Sequence, residues 1–173
     1  MDFREKRYDV FHMFDKQWAL LTAGRPEKYN TMTISWGSLG TLWGPAGQGK
    51  PIATVYVKPA RFTHQFLEEG EFFTISFFPS EFRKDLALLG TKSGRDGDKV
   101  AETSLTPRAL GQAVAFEEAE RIFVCRKIYA QDFDRARIPD AVVEQYYRCE
   151  APHTCYIGEI IDVLSKERDT ERV

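Results

Sequence analysis

Within the stretch Lys28–Gly37, KYNTMTISWG, residues 30–36 alternate amide or apolar side chains with hydroxyl side chains. A period of two is typical of a β-strand with two different faces. We therefore predict a strand over Asn30–Trp36. The hydroxyl face, formed by Thr31, Thr33 and Ser35, has two explanations: it faces solvent, or it contacts a polar ligand.

Further strand patterns flank this segment on both sides. The other predicted strands are Gln17–Ala23, Pro51–Val57, Phe72–Phe78, Ala113–Phe116, Ala119–Gln131 and Thr154–Leu164. Many short strands joined by turn-rich connections favour a barrel or a sandwich. We therefore predict a mainly β protein, a β-barrel formed by one domain over residues 1–173, with a frayed, charged tail at Lys166–Val173.

Three segments have helical patterns and are predicted to lie at the periphery of the barrel. Arg61–Glu69 places two aromatic rings four residues apart on one face. Ser80–Leu89 has Ser80 as its predicted N-cap. Pro139–Tyr146 begins with proline at the first helical position, where the missing N–H costs nothing.

Composition excludes several classes of function. A net charge of −2 over 173 residues argues against non-specific nucleic-acid binding, which needs a basic surface.

No apolar run approaches the ~20 residues that span a bilayer, and the charged N-terminus has no signal-peptide core, so we expect a cytoplasmic protein without a membrane span. The three cysteines form no CxxC motif, and His153-Thr154-Cys155 is too small a set for a metal, so neither a disulfide framework nor a metal site is predicted.

Residues Gly44–Pro51, GPAGQGKP, match the first seven positions of a phosphate-binding P-loop. The eighth position should be Ser or Thr, which holds Mg²⁺, but it is Pro51. A P-loop must also lead into a helix, whereas the residues that follow have a strand pattern. We interpret this segment as a loop between two strands that shapes the mouth of the barrel, and reject nucleoside triphosphate chemistry.

Two other basic segments are candidates for an anion site. Thr91–Lys99, TKSGRDGDK, has two glycines, which let backbone N–H groups converge on an anion, and three cations, of which Arg95 can bind two phosphate oxygens. The alternative is a solvated turn. Lys58–Thr63, KPARFT, opens a predicted helix, whose N-terminus favours anions. Arg61 is unfavourable there unless it meets a negative group, which is either a ligand or a neighbouring Glu.

Four motifs in order carry a resemblance to a known family: NTMTISWG (30–37), PIATVYVKPARFT (51–63), FFTISFFP (72–79) and GTKSGRDGDKVAET (90–103). Together they resemble the flavin reductase-like family of FMN-binding split barrels, and most closely its flavoredoxin-type members, over roughly Gln17–Leu164. The resemblance implies a six-stranded antiparallel split barrel with Greek-key connections. It also implies a homodimer with FMN near the subunit interface.

The resemblance further implies the cofactor-binding residues. Strand residues Asn30, Thr31, Met32, Thr33 and Ser35 would line the flavin, and Trp36 would pack on its ring. Arg61 and Thr63 would approach the phosphate, where Lys58 keeps a basic residue before the helix-opening proline. The loop residues Ser93, Gly94, Arg95 and Lys99 would close over the cofactor.

The activity implied by the resemblance is reduction of flavin by NAD(P)H, with onward electron transfer to an acceptor that the sequence does not identify. Flavin carries this chemistry itself, so no catalytic acid or base is assigned. Two alternatives stay open. One is a non-enzymatic FMN-binding electron carrier, and the other is a binding module without a redox role.

Overall fold

The computed structural model describes residues 2–166. Residues 167–173, which hold most of the predicted frayed tail, lie outside the described part. Within residues 2–166 the chain forms nine strands: β1 Ala19–Arg25, β2 Lys28–Ile34, β3 Gly37–Leu42, β4 Lys50–Val57, β5 Phe72–Phe77, β6 Pro107–Leu110, β7 Ala113–Phe116, β8 Arg121–Asp132 and β9 Thr154–Ser165. The α-helices described there are α1 Phe62–Glu69, α2 Arg83–Thr91 and α3 Asp140–Tyr146.

The main sheet is an antiparallel split barrel. Seven strands pair in the order β2-β1-β5-β8-β9-β4-β3, and β6 and β7 form a separate hairpin. Its two end strands, β2 and β3, follow each other in the chain with only Ser35 and Trp36 between them. The outer edge of β2 is unpaired in this sheet order, so part of its backbone N–H and C=O groups are available to other partners. The predicted mainly β, split-barrel fold is confirmed.

Apolar side chains form two layers of core. The barrel interior is filled by side chains such as Leu21, Phe73 and Tyr156. A second layer lies between the outer face of the sheet and the elements α2, β6 and β7, and includes Leu86 and Phe116. Strand β1 serves both layers, which explains why its first five residues are all buried.

Three strand predictions need correction. The β2 strand ends at Ile34 rather than Trp36, because the chain leaves the sheet there to cross the open seam. Strand β3, GSLGTL, was not predicted because its glycines interrupt the alternation that indicates a strand. With β3 the main sheet has seven strands rather than six. The predicted start of β1 at Gln17 is wrong, because His12–Gln17 form a π-helical turn that ends at Trp18 with φ 67°.

The helix starts also differ from prediction. Arg61 is the extended N-cap residue of α1 rather than part of its first turn. Ser80 begins a short 3-10 turn, and α2 starts only at Arg83, so Ser80 does not cap it. Pro139 is the extended N-cap of α3. No helix in residues 2–166 is long and apolar enough to cross a bilayer.

Candidate functional site

Asn30 joins the edge strand β2 to the start of α1. Its Nδ2 donates to Thr63 Oγ1 at 2.7 Å and to the Thr31 carbonyl at 3.3 Å. Both Asn30 and Thr63 are buried. This pair therefore fixes the first turn of α1 against the unpaired side of the sheet.

The N-terminus of α1 has no side-chain cap. Arg61 adopts an extended conformation at the N-cap position, where its guanidinium has no acceptor to offer the N–H groups of the first turn. An uncapped helix start carries partial positive charge and free N–H donors. The Arg61 guanidinium adds a full charge, so this end of α1 is suited to bind an anion.

The loop 92–99, which we call the pocket loop, packs directly on this helix start. Arg95 Nη1 donates to the Ala60 carbonyl at 3.0 Å, and its guanidinium lies 4.9 Å from the centre of the Phe62 ring. A Cβ placed on Gly94 would lie 2.1 Å from Asn30 Oδ1. Only glycine permits this approach, so the residue is required for the loop to close on β2.

A cavity of about 150 Å³ lies between β2, the α1 start and the pocket loop. Eight of the thirteen predicted cofactor residues line it: Asn30, Met32, Arg61, Thr63, Ser93, Gly94, Arg95 and Lys99. Segments of the chain that are distant in sequence therefore meet where the sequence predicted an anion site. Their contact with a cofactor stays a prediction.

The lining of this cavity is strongly cationic. It contains Arg61, Lys92, Arg95 and Lys99, and no carboxylate among the described residues. Lys92 pairs with Glu102 outside the cavity. Burial, with a smaller contribution from Arg61, lowers the pKa of Lys99 to about 8. Uncompensated positive charge in a partly buried pocket indicates a site for an anion.

The hydroxyl face of β2 does not line this cavity, and its Thr31 and Thr33 hydroxyls bond within the protein. Thr31 is buried, and its Oγ1 lies 2.9 Å from Thr22 Oγ1 on the neighbouring strand. Thr33 Oγ1 donates to the Leu86 carbonyl of α2 at 2.5 Å. The two hydroxyls are therefore engaged within the protein, because α2 and a second core layer cover this side of an edge strand; contact of Thr31 and Thr33 with a cofactor stays a prediction. Ser35 lies beyond the end of β2 and does not line the cavity.

Trp36 and Lys58 belong to a second group beside the cavity, which we call the aromatic cluster. The Trp36 ring lies 5.7 Å from that of Tyr146 and 5.1 Å from that of His153. Lys58 Nζ forms an ion pair with Glu150 at 2.5 Å. Its charge is therefore already partnered, in contrast to the cations of the cavity.

His153 is the functional candidate that sequence reasoning missed. Its Nδ1 lies 2.8 Å from the Tyr147 hydroxyl. Burial first, and then the positive charges of Lys58 and Arg61, lower the pKa of His153 to about 4. The ring is therefore neutral at neutral pH. The sequence offered only its position two residues before Cys155, which pointed to metals rather than to these aromatic neighbours.

The P-loop-like segment lies at the other end of the barrel. Residues 43–49, which we call the hairpin loop, connect β3 to β4, as predicted for a loop between strands. Lys50 starts β4 and pairs with Glu159 at 2.7 Å. The loop borders a separate cavity of about 520 Å³ that is also lined by Tyr8 and Phe123. Within residues 2–166 no group of three or more His, Cys, Asp or Glu side chains is arranged to hold a metal ion.

Comparison with known proteins identifies the class to which this fold and site belong. The family model for the flavin reductase like domain matches residues 11–172. This covers nearly the whole chain, so the chain belongs to the flavin reductase-like family.

Solved structures share the fold at low sequence identity. A flavoredoxin from Methanosarcina acetivorans is 22% identical with a TM-score of 0.66, covering 94% of this chain and 75% of that one. An FMN-binding protein from Thermus thermophilus, with bound p-hydroxybenzaldehyde, is 20% identical with a TM-score of 0.67, covering 97% and 82%. An NADH:FAD oxidoreductase from Streptomyces globisporus, in complex with NAD and FAD fragments, is 15% identical with a TM-score of 0.62, covering 87% and 74%.

Proposed function

We propose that this protein is an FMN-binding oxidoreductase that passes hydride from NAD(P)H to flavin and electrons onward to an acceptor. One observation carries the proposal. A cationic cavity at an uncapped helix start is connected, along the unpaired edge of β2, to a partly exposed aromatic cluster. A flavin nucleotide needs this combination of an anion site, backbone partners and aromatic packing.

The residues present fit the phosphate end of FMN. Arg61 and Arg95 supply charged donors, and the Ser93 hydroxyl and the first N–H groups of α1 supply further ones. The cavity, at about 150 Å³, is below the ~300 Å³ typical of a pocket for a whole small molecule. We therefore assign it to one end of the ligand, with the remainder of the molecule outside it.

The edge of β2 is the proposed path from the phosphate to the ring. From Asn30 to its end at Ile34 the strand rises about 13 Å, and Trp36 follows two residues later. The unpaired N–H and C=O groups of this edge are suited to a ring with several amide-like groups. Met32 lies between the two ends on the face that lines the cavity.

When bound, FMN supplies the redox chemistry, accepting hydride from a reduced nicotinamide and releasing electrons to an acceptor. The protein's residues position the reactants and exclude water. Trp36 offers an aromatic face, and neutral His153 offers a hydrogen bond. If Tyr147 donates to Nδ1, the single ring proton of His153 is on Nε2, which becomes the available donor.

A second candidate function is a non-enzymatic electron carrier that retains FMN. The closed pocket loop favours it, because Arg95 bridges to Ala60 and Phe62 and holds the loop over the cavity. A cofactor held under such a loop would dissociate slowly. The two candidates differ in whether NAD(P)H reduces the bound flavin directly.

We also propose that the protein acts as a cytoplasmic homodimer with the flavin near the subunit interface. Trp36 is 45% exposed and Tyr146 is 42% exposed, although both lie beside the proposed ring site. A second subunit would cover these rings and exclude water from the flavin. Light scattering on the protein as it elutes from gel filtration tests the proposed dimer. A monomer that binds FMN and reduces it in repeated turnovers would contradict the dimer.

The decisive experiment mixes the purified protein with FMN and, without oxygen, with NADH or NADPH. We expect flavin absorbance to decrease with at least one nicotinamide in repeated turnovers. Bound FMN that survives gel filtration but is reduced by neither nicotinamide would favour the electron carrier. A protein that does not bind FMN would contradict both candidates.

A further inference from the structure

Lys99 lies in the floor of the cationic cavity with most of its hydrogen-bonding capacity already used. It is only 5% exposed. Its Nζ donates to the carbonyls of Leu89 at 2.8 Å and Lys92 at 2.9 Å. Those carbonyls belong to the C-terminal end of α2, so Lys99 caps that helix while it lines the cavity.

Two acceptors match the two N–H groups of a neutral amine. In that state the remaining position on Nζ is a lone pair, which repels an anion. A protonated ammonium has three N–H groups. Its third donor, which neither the Leu89 nor the Lys92 carbonyl accepts, is left for a ligand in the cavity.

We propose that Lys99 is a specificity-determining residue that takes up a proton when a terminal phosphate dianion enters the cavity, so that the site selects FMN over riboflavin and FAD. The inference rests on the proposed function, because it requires a flavin in this site. A terminal phosphomonoester carries nearly two charges above pH 7, since its second pKa is about 6. Each phosphate of a dinucleotide carries one charge and is followed by a bulky group that a cavity of about 150 Å³ does not hold.

The charges around Lys99 determine whether a bound phosphate raises or lowers its pKa. Burial, and then the positive charge of Arg61 at the α1 start, disfavour protonation of Lys99 when the cavity holds no anion. Lys92 has its charge partnered by Glu102. The Asp98 carboxylate accepts the N–H groups of residues 100 and 101 and is engaged there.

The other elements around the cavity add no titrating group to it. Strand β2 contributes Asn30 and Met32, which do not ionise. The carboxylate of Asp85 on α2 is bonded to Ser104 away from the cavity. A dianion beside Arg61 would therefore be the main influence that favours the charged form of Lys99 over the neutral form.

The pH window follows from the lowered pKa of about 8 without ligand. A bound dianion raises the pKa of Lys99, so binding is strongest below about 8 and weakens as pH rises above it. Over that range the affinity for FMN should fall by up to about tenfold per pH unit. Riboflavin, which lacks the phosphate, should not show this decrease.

The test is calorimetry of FMN, FAD and riboflavin binding at about pH 8.5, in buffers of different ionisation enthalpy. We expect FMN to bind with uptake of roughly three quarters of a proton, riboflavin with none, and FAD more weakly than FMN. Lys99→Arg, which stays charged, should bind FMN without proton uptake, and Lys99→Met should bind it weakly at every pH. Lys92→Met is the matched control and should retain the uptake.

The outcomes separate the two proposals. FMN binding without proton uptake, or equal uptake with riboflavin, overturns the role of Lys99 and leaves the FMN-binding proposal standing. Proton uptake on FMN binding that persists in Lys99→Arg also overturns the role of Lys99. If both Lys99 variants fail to fold, the comparison of FMN with riboflavin in the unaltered protein still decides. A complete lack of FMN binding overturns both proposals.

Discussion

The hairpin loop and the pocket loop have similar sequences but occupy very different surroundings. Both contain glycines, the hairpin loop is followed by Lys50 and the pocket loop ends in Lys99, and the hairpin loop is the better match to a phosphate-binding motif. The hairpin loop leads into strand β4, and its neighbour Lys50 is neutralised by Glu159. The pocket loop packs against an uncapped helix start, and its cations face a cavity that no carboxylate of residues 2–166 lines.

The difference shows that glycine and lysine do not make an anion site by themselves. Anion binding requires donors that converge from several elements and a positive charge that no side chain of the protein neutralises. The pocket loop meets both conditions because β2 and α1 hold it in place. Four variants, three of them with a matched control, test whether the contrast between the two loops is real.

Gly94→Ala should have the largest effect. The new Cβ would lie 2.1 Å from Asn30 Oδ1, so the pocket loop must move away from β2. Overpacking of this kind costs about 1–3 kcal/mol, so we expect FMN affinity, measured by fluorescence titration, to fall by up to about 100-fold.

Gly49→Ala in the hairpin loop is the matched control. Its Cβ would lie 3.1 Å from the Thr41 Cβ, far from the proposed flavin path. It should leave FMN affinity unchanged. Equal losses in the two variants would remove the distinction between the loops.

Arg61→Met should weaken FMN binding by about 30-fold, because a charged hydrogen bond to phosphate contributes roughly 2 kcal/mol. Riboflavin affinity should change little, because it has no phosphate to lose. Lys50→Met, which removes the corresponding cation beside the hairpin loop, should change neither affinity. A similar loss for FMN and riboflavin in Arg61→Met would place the phosphate elsewhere.

Arg95→Ala should act mainly on the rate at which FMN is released. It removes the bond to the Ala60 carbonyl and the contact with Phe62, and we expect about a tenfold faster release in stopped-flow dilution. Arg83→Ala is the control, because Arg83 also donates to a carbonyl, that of Lys16, and packs on Trp18, but lies outside the cavity. If both variants release FMN equally fast, the effect reflects general loosening of the fold.

The fold was predictable from sequence wherever a strand alternates. Pro51–Val57 and Phe72–Phe78 match β4 and β5 closely, because their periodicity is local information. Strand β3 was not predictable, because a glycine-rich edge strand is defined by its pairing with β4 rather than by its own side chains.

The site was predictable in its loops and not in its long-range contacts. The basic, glycine-rich pattern around Arg95 and the helix start at Arg61 indicated an anion site, and the two lie together. The partners of Trp36, namely Tyr146 and His153, come from segments more than 100 residues later. No local sequence pattern predicts contacts between residues so far apart in the chain.

The smallest change in affinity is expected for Thr33→Val combined with Ser35→Ala on the hydroxyl face of β2. Thr33 donates to the Leu86 carbonyl, and the Cβ that Gly90 lacks would lie 3.2 Å from Thr33, so this face holds α2 rather than a ligand. We expect the free energy of unfolding, measured with denaturant, to fall by about 1 kcal/mol. FMN affinity should stay within about twofold, because the pocket loop that follows α2 is also held by Arg95 and Gly94. A tenfold loss of FMN affinity with unchanged stability would show instead that the hydroxyl face contacts the flavin. Strand β2, rather than the pocket loop, would then be the main reason why FMN binds beside the pocket loop and not beside the hairpin loop.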